Sequence, residues 1–322
     1  MPNTTRTQIP AEVNNFYDRT LLMRALPQFI HTKWAQTRNI PRKAGTNVIK
    51  FRRYGNLTAA TTPLTEGVTP AGSQLSVTDV TATVAQYGDY VTVTDVLDYE
   101  SQDPVLMEAA EILGDQAADT LDQLTRDVLN AGTSVSFGGS GNTATADVAA
   151  GDVLTTTLLD AALLTLKNNN TRKVSQQVDA TTGIGTTPIK AAYIGIVHTS
   201  LGAKVKALTG FVSVEKYPSQ TDVMEGEIGY YNEIRFVEST NGKVFTGAGT
   251  GGIDVYTVVL MGMHAYGTTA INGEALKNIV KPLGSAGTAD PLDQRATSGW
   301  KATFVAKILN NNFITRIEVA LT

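Results

Sequence analysis

Between Thr46 and Val96 the chain alternates between apolar and polar positions. Ile49 and Phe51 alternate with Lys50 and Arg52, Val80, Ala82 and Val84 with threonines, and Val91 and Val93 repeat the step. A period of two, rich in Thr, Val and Tyr, predicts β-strands. Leu57–Leu75 interrupts them with Thr, Ala, Gly and Pro, including Thr62-Pro63 and Thr69-Pro70. The pattern predicts a long two-stranded ribbon with a large tip. A lone ribbon is at best marginally stable in water, so this one has to rest on its own domain or on a neighbouring subunit.

Elsewhere the period lengthens. Val13, Phe16, Tyr17, Leu21 and Met23 predict a helix over Ala11–Phe29, interrupted near its end by Pro27, and residues 1–10 read as an extended polar arm. Asp103-Pro104 is a strong helix start, an N-cap aspartate followed by proline at the first helical position. Val105, Ala109, Ile112, Leu113, Ala117, Leu121, Leu124 and Val128 follow at steps of three and four, and Gly132 closes the segment. About 28 residues at 1.5 Å rise make a rod of roughly 42 Å. Its outer face is acidic, with Glu108, Glu111, Asp115, Asp119 and Asp122. Such a rod suits a structural spine better than a catalytic pocket.

Ser134–Asp152, centred on Phe137-Gly-Gly-Ser-Gly-Asn, reads as a small, flexible surface insertion. A mixed region follows: helices over Leu158–Lys167 and Thr199–Leu208, strands over Ala191–Val197, Glu233–Val237 and Ile253–Met261, and a last strand or two within Trp300–Glu318. No internal repeat of solenoid or propeller period is present.

At 322 residues, 42% hydrophobic and 17% charged, the chain is long enough for one large or two moderate domains. It has no cysteine, which removes disulfides, thiolate nucleophiles and cysteine-bound zinc. The polar N-terminus shows no secretory h-region, and the longest apolar run, Ile253–Met263, is too short for a bilayer and contains Asp254, so no membrane partner is expected. The net charge of −4 hides blocks: +8 over residues 1–60, −15 over 61–160 and +3 over the remainder. Solvated faces account for such blocks, and so do complementary contacts between copies that steer encounter and register. Nucleic-acid binding by the basic block stays open, although it lacks the density of a packaging tail.

Side-chain chemistry gives little. Gly247-Ala-Gly-Thr-Gly-Gly252 matches GxGxxG, but it precedes the strand-like Ile253-Asp-Val-Tyr-Thr-Val-Val where a dinucleotide site needs a helix. It reads as a turn or hairpin. His31, His198 and His264 lie far apart with no metal-ligand spacing. His198-Thr-Ser200 has no nucleophile elbow around it. Neither an enzyme nor a cofactor is expected.

Several segments carry a specific resemblance. They are Ile9-Pro-Ala-Glu-Val-Asn-Asn-Phe-Tyr-Asp-Arg-Thr-Leu-Leu22, the run from Ile49-Lys-Phe-Arg-Arg-Tyr-Gly-Asn to Glu66-Gly-Val-Thr-Pro70, Ala85-Gln-Tyr-Gly-Asp-Tyr-Val91 and Thr120-Leu-Asp-Gln-Leu-Thr-Arg-Asp-Val-Leu129. Lys281-Pro-Leu-Gly-Ser-Ala-Gly-Thr-Ala-Asp-Pro-Leu-Asp-Gln-Arg-Ala-Thr-Ser-Gly-Trp-Lys301 and Lys307-Ile-Leu-Asn-Asn-Asn-Phe-Ile-Thr-Arg-Ile-Glu318 complete the set. Together they resemble the major capsid proteins of tailed double-stranded DNA phages of the N-four type, over about residues 8 to 318. The resemblance implies an α+β chain with the tailed-phage major capsid fold, often called the HK-ninety-seven fold. Its expected parts are an N-terminal arm and first helix (1–45), a long β-ribbon E-loop (46–96), a peripheral domain (97–154) with a spine helix (103–131), a mainly axial domain (155–280), and a return to the peripheral domain (281–322).

The resemblance also implies a function. The chain would self-assemble into hexamers and pentamers of an icosahedral shell around packaged double-stranded DNA. Its partners would be copies of itself, a portal, and cement or separate scaffolding proteins. The shell would belong to the virion and be assembled in the bacterial cytoplasm. The expected intersubunit residues are Arg52, Arg53, Glu66, Tyr87, Glu108, Glu111 and Asp115, with Trp300 as a structural anchor. Some relatives weld subunits through an E-loop lysine, but no lysine lies between Lys50 and Lys167 here, so a non-covalent shell is expected. The chain also begins almost at the arm, which argues against a fused scaffolding domain. An encapsulin-like nanocompartment is the alternative, and a nucleotide-dependent enzyme built on the Gly247 loop a remote one.

Overall fold

A computed structural model describes residues 30–96, 105–174, 191–217, 223–285 and 290–322. The expected arm, the helix over 11–29 and the Asp103-Pro104 cap lie outside the described residues. Fifteen strands and three α-helices are described. In chain order the strands are β1 (Gln36–Thr37), β2 (Val48–Tyr54), β3 (Val77–Thr83), β4 (Ala85–Thr94), β5 (Val135–Phe137), β6 (Tyr193–His198), β7 (Val212–Ser213), β8 (Glu227–Tyr231), β9 (Ile234–Ser239), β10 (Val244–Phe245), β11 (Val255–Met261), β12 (Tyr266–Thr269), β13 (Lys277–Lys281), β14 (Arg295–Ile308) and β15 (Ile314–Val319). The helices are α1 (Val105–Asn130), α2 (Thr156–Asn168) and α3 (Thr199–Lys206).

Eight strands form one mixed sheet in the order β5-β15-β11-β6-β9-β8-β7, with β10 paired to β11. Its central strands are apolar at nearly every position because both faces are covered. Val258 and Leu260 of β11 point to one side, where Leu159, Leu163 and Leu166 of α2 and Leu201 and Val205 of α3 complete a core with Phe236 and Ile317. Val259 and Met261 point to the other side, onto Leu129 at the end of α1, Trp34, Ile194, Ile196 and Tyr266. The period of two thus divides a single strand between two cores.

The second sheet runs β1-β12-β14-β13, with β4 paired to β14 from Arg295↔Thr94 to Phe304↔Ala85. Helix α1 lies on it through Leu113, Ala117 and Leu121, which enclose Trp300 and Ala302. One helix of 26 residues, ~39 Å long, therefore joins the two sheets. The ribbon is a third, two-stranded sheet in which β2 pairs with β3 from Val48↔Thr83 to Tyr54↔Val77.

Four expectations change. The ribbon expected over 46–96 is shorter, because β4 leaves it to pair along β14 in the five-stranded sheet. The division at 280/281 does not follow the sheets either. β12 and β13 already belong with β14, while β15 near the C-terminus lies inside the eight-stranded sheet. The closing loop after Lys281 therefore joins two neighbouring strands of one sheet. Ser134–Asp152 is no loose insertion. β5 pairs in parallel with β15, the Gly138 N–H donates to the Glu318 carbonyl at 2.7 Å, and Val148 is fully buried. Asp152 closes the loop by accepting from the Asn142 amide at 2.7 Å and the Ala149 N–H at 2.8 Å.

The fourth change concerns α1. Ile112, read as part of its apolar stripe, is 63% exposed, and Asp122, read as part of its solvated acidic face, is 0% exposed. A helix between two layers buries a wider arc than one stripe. Ala110, Ala118, Asp122, Thr125 and Leu129 form the second buried line.

Candidate assembly interfaces

For a chain expected to act by association, the surfaces that matter carry apolar or charged groups left unused within the subunit. The ribbon is the plainest of these. Its root is anchored: Ala82 and Val84 are buried, and the Val84 N–H donates to the Asn47 carbonyl at 2.8 Å. The tip, residues 55–76, carries Leu57, Leu64, Val68 and Leu75 in solvent, with Leu64 78% and Val68 62% exposed. Glu66 is the only charged residue in it and is itself exposed.

Arg52 sits opposite Asp79 in the ladder, and the pair closes with Nε–Oδ1 at 3.0 Å and Nη2–Oδ2 at 3.4 Å. This hydrogen bond, more than charge alone, holds the Asp79 carboxyl below its usual range and pushes the Arg52 guanidinium further up. Both groups are in water, where such a pair adds little stability. Arg53 points from the other face of the ribbon, since successive side chains alternate, and is exposed.

The second surface is the open face of the five-stranded sheet. Residues paired across strands share a face, so Tyr90, Gly299 and Ile279 lie side by side, as do Gly88, Lys301 and Lys277. All of these but Lys277 line an open groove of about 410 Å³ together with Gln86 and Lys281. Gly88 and Gly299 leave its floor bare. A Cβ on Gly88 would sit 2.5 Å from the Trp300 carbonyl oxygen, so glycine is what lets β4 and β14 approach. Tyr90 is 68% exposed at the rim, and the charged residues on this lining are Lys281, Lys301 and Asp89.

The opposite face of the same strands meets α1. Trp300 is buried there, with its Nε1–H donating to Gln116 at 3.0 Å, and Gln116 donates in turn to Asp89 at 2.7 Å. The Gln116 hydrogen bond, helped by the Tyr90 N–H, keeps the Asp89 carboxyl below its usual range. Tyr87 packs partly buried beside this cluster. Of the expected acidic contacts on α1, Glu108 is exposed, while Glu111 and Asp115 are half-buried and already engaged within the chain. The ribbon arginines, Glu66 and the α1 carboxylates therefore occupy separate surfaces of one subunit, and only Trp300 and Tyr87 share a cluster.

The remaining candidates find ordinary places. The Gly247 loop turns β10 into β11, with the Gly247 N–H donating to Asp254 at 2.8 Å and the Gly249 N–H to the Ile253 carbonyl at 3.0 Å. A strand follows it, as the hairpin reading requires. His198 caps α3 by accepting from the Ser200 N–H. His31 is buried against Asp122, a placement that spacing alone did not reveal.

A model of the phage capsid protein family matches residues 77–315, most of the chain. The chain belongs to the phage capsid protein family. No curated relative matches it at a significant level. Among solved structures, the capsid of Ralstonia phage GP4 superposes on this capsid protein with a TM-score of 0.69 at 12% identity, covering 92% of this chain and 90% of that one. The Cyanophage Pam1 capsid does so with a TM-score of 0.65 at 16% identity, covering 92% of each. The encapsulin SrpI from Synechococcus elongatus PCC 7942 is also similar, with a lower TM-score of 0.54 at 10% identity, covering 94% and 90%. The α+β architecture is thus the HK-ninety-seven-like fold, and the family makes the chain a major capsid shell protein, a structural component of the virion that assembles with its own kind.

Proposed function

We propose that this capsid protein forms hexamers and pentamers of an icosahedral shell held without covalent cross-links around double-stranded DNA, assembled in the bacterial cytoplasm with a portal and separate accessory proteins. In this reading the five-stranded sheet with α1 is the peripheral domain. The eight-stranded sheet with α2 and α3 is the axial domain.

The observation that carries the proposal is the ribbon tip. Four apolar side chains stand in water there, and burying each is worth roughly 1.5–3 kcal/mol. Leu64 and Val68 flank Glu66 in a turn closed by the Val68 N–H donating to the Thr65 carbonyl at 3.2 Å, so the tip carries two apolar groups beside one carboxylate. The groove of a second copy offers the complement: Tyr90 and Ile279 for the apolar groups, Lys281 and Lys301 for the carboxylate. In this reading Arg53, on the ribbon face away from the Arg52–Asp79 pair, meets Glu108 of an adjoining copy. No lysine on the ribbon beyond Lys50 is available to weld the tip.

A charge exchange tests the proposal. Glu66→Lys should abolish shell formation while leaving a folded subunit, and adding Lys281→Glu with Lys301→Glu should restore shells. Normal shells from Glu66→Lys alone would overturn the docking. Particles from infected or expressing cells that resist boiling as oligomer ladders would overturn the non-covalent part, and particles filled with cargo protein in place of DNA would favour a nanocompartment.

A further inference from the structure

The chain contains two Asn-Gly pairs, Asn241-Gly242 and Asn272-Gly273, and each stands in a turn. The first lies between β9 and β10, the second between β12 and β13. Asparagine is a labile side chain, most of all before glycine, where no Cβ hinders the following backbone nitrogen. That nitrogen attacks the asparagine Cγ, and Nδ2 leaves as ammonia with the displaced proton. Water then opens the five-membered imide at either carbonyl, giving aspartate or isoaspartate. The reaction needs an amide side chain free to turn and a glycine N–H free of its own partner.

The two pairs meet these conditions oppositely. Asn241 Nδ2 donates to Asp119 at 2.7 Å and to Asp122 at 3.3 Å. Its backbone N–H is held by the Ser239 hydroxyl at 3.1 Å, and its carbonyl by Arg126 at 3.3 Å. The Gly242 N–H donates to the Ser239 carbonyl at 3.3 Å, and a Cβ on Gly242 would lie 2.7 Å from the Cα of His198. Both reacting groups are tied, and an acid at 241 would bring a third carboxylate against two.

Asn272 is exposed, and neither its side-chain amide nor the Gly273 N–H has a hydrogen-bond partner among the described residues. Gly273 has a φ of +75° and open space where a side chain would stand. Backbone contacts hold this turn. The Asn272 N–H donates to the Ile40 carbonyl at 2.9 Å, and the Ile40 N–H to the Ala270 carbonyl at 2.9 Å, around the bridge Ile40↔Ile271. Isoaspartate would add one methylene to the main chain where the Ile40 segment is fastened.

We propose that Asn272 is a site of spontaneous deamidation in the folded subunit, that the α1 carboxylates shield Asn241 from the same reaction, and that isoaspartate at 272 loosens the Ile40 segment. The chemistry belongs to the single subunit and does not depend on the shell reading.

The test keeps unassembled wild-type subunits warm in mildly alkaline buffer and follows both sites by peptide mass spectrometry. Asn272 should convert about tenfold or more faster than Asn241, since a tied group reacts only through local opening. In denaturant Asn241 should catch up. Asp119→Ala should raise native conversion at Asn241 several-fold, and Asn272→Gln should remove conversion at 272. Amide exchange at Ile40 should be several-fold faster in aged than in fresh wild type, and unchanged by ageing in Asn272→Gln. An intact Asn272, or equal native rates at the two pairs, would overturn the site. An Asn241 rate unmoved by denaturant or by Asp119→Ala would overturn the shielding. Equal Ile40 exchange in fresh and converted protein would overturn the loosening.

Discussion

The eight-stranded sheet and the ribbon use the same strand chemistry to opposite ends. In the sheet, β6 and β11 turn apolar side chains to both faces, and helices or other strands cover them. In the ribbon, β2 and β3 satisfy each other's backbone over seven residues, while the tip leaves Leu57, Leu64, Val68 and Leu75 uncovered. One region is complete within the subunit, and the other lacks its second layer. Stability and assembly should therefore be separable by mutation.

The largest effect belongs to the complete region. Phe236 is fully buried beneath Gly195, and Phe236→Ala should cost about 3–5 kcal/mol of subunit stability in chemical denaturation, enough to lose soluble protein. A cost below about 1 kcal/mol would mean that this core is not the foundation of the subunit. The ribbon should behave in reverse. Leu64→Ser combined with Val68→Ser should leave the denaturation midpoint within about 0.5 kcal/mol of wild type and remove shells. A comparable loss of subunit stability would show that the tip packs on its own subunit.

The charged groups sharpen the contrast. Reversing Arg52 and Arg53 to glutamate should block assembly while the subunit stays soluble, whereas Arg52→Ala alone should leave subunit stability near that of wild type, as for exposed pairs generally. Wild-type particle yield from the double reversal would remove the charge role. Asp122 should respond to acid. Burial alone would push its carboxyl up, but the hydrogen bond and charge of His31, the His31 N–H and Asn241 outweigh this and hold it below the usual range. A folded-state value below the unfolded one means that its stabilisation is complete above about pH 4. It is lost as pH falls through the folded value. The acid limb of an unfolding titration should therefore be shallower in Asp122→Asn than in wild type, and identical limbs would contradict the assignment.

The two regions were also unequally legible in the sequence. The ribbon announced itself through alternation at Ile49, Phe51, Val80 and Ala82, and its need of a partner followed from its isolation. The α1 rod, α2, α3 and the strands around Ile194, Val237 and Val258 were legible for the same reason, a strong period. What periodicity could not convey was partnership between distant segments. β4 continues the alternation of the ribbon but pairs with β14, some two hundred residues away, because the Gly88 and Gly299 backbones allow that approach. β5 is only three residues long and leaves no pattern. Asp122 reads as solvated because its step along the helix matches Asp115 and Asp119, and only the arrival of His31 and Asn241 makes it internal. Among the expected contact residues, Trp300 was visible as a large aromatic in a strand. The groove of Tyr90, Ile279, Lys281 and Lys301 was not, since it gathers three strands separated by loops.

The claim that the ribbon tip supplies the missing layer of a neighbouring subunit is tested most directly by electron microscopy of the wild-type protein beside the Leu64→Ser, Val68→Ser variant at equal concentration. The account predicts closed shells from the wild type and only free subunits or capsomers from the variant. Closed shells of the same size and number from both would contradict it.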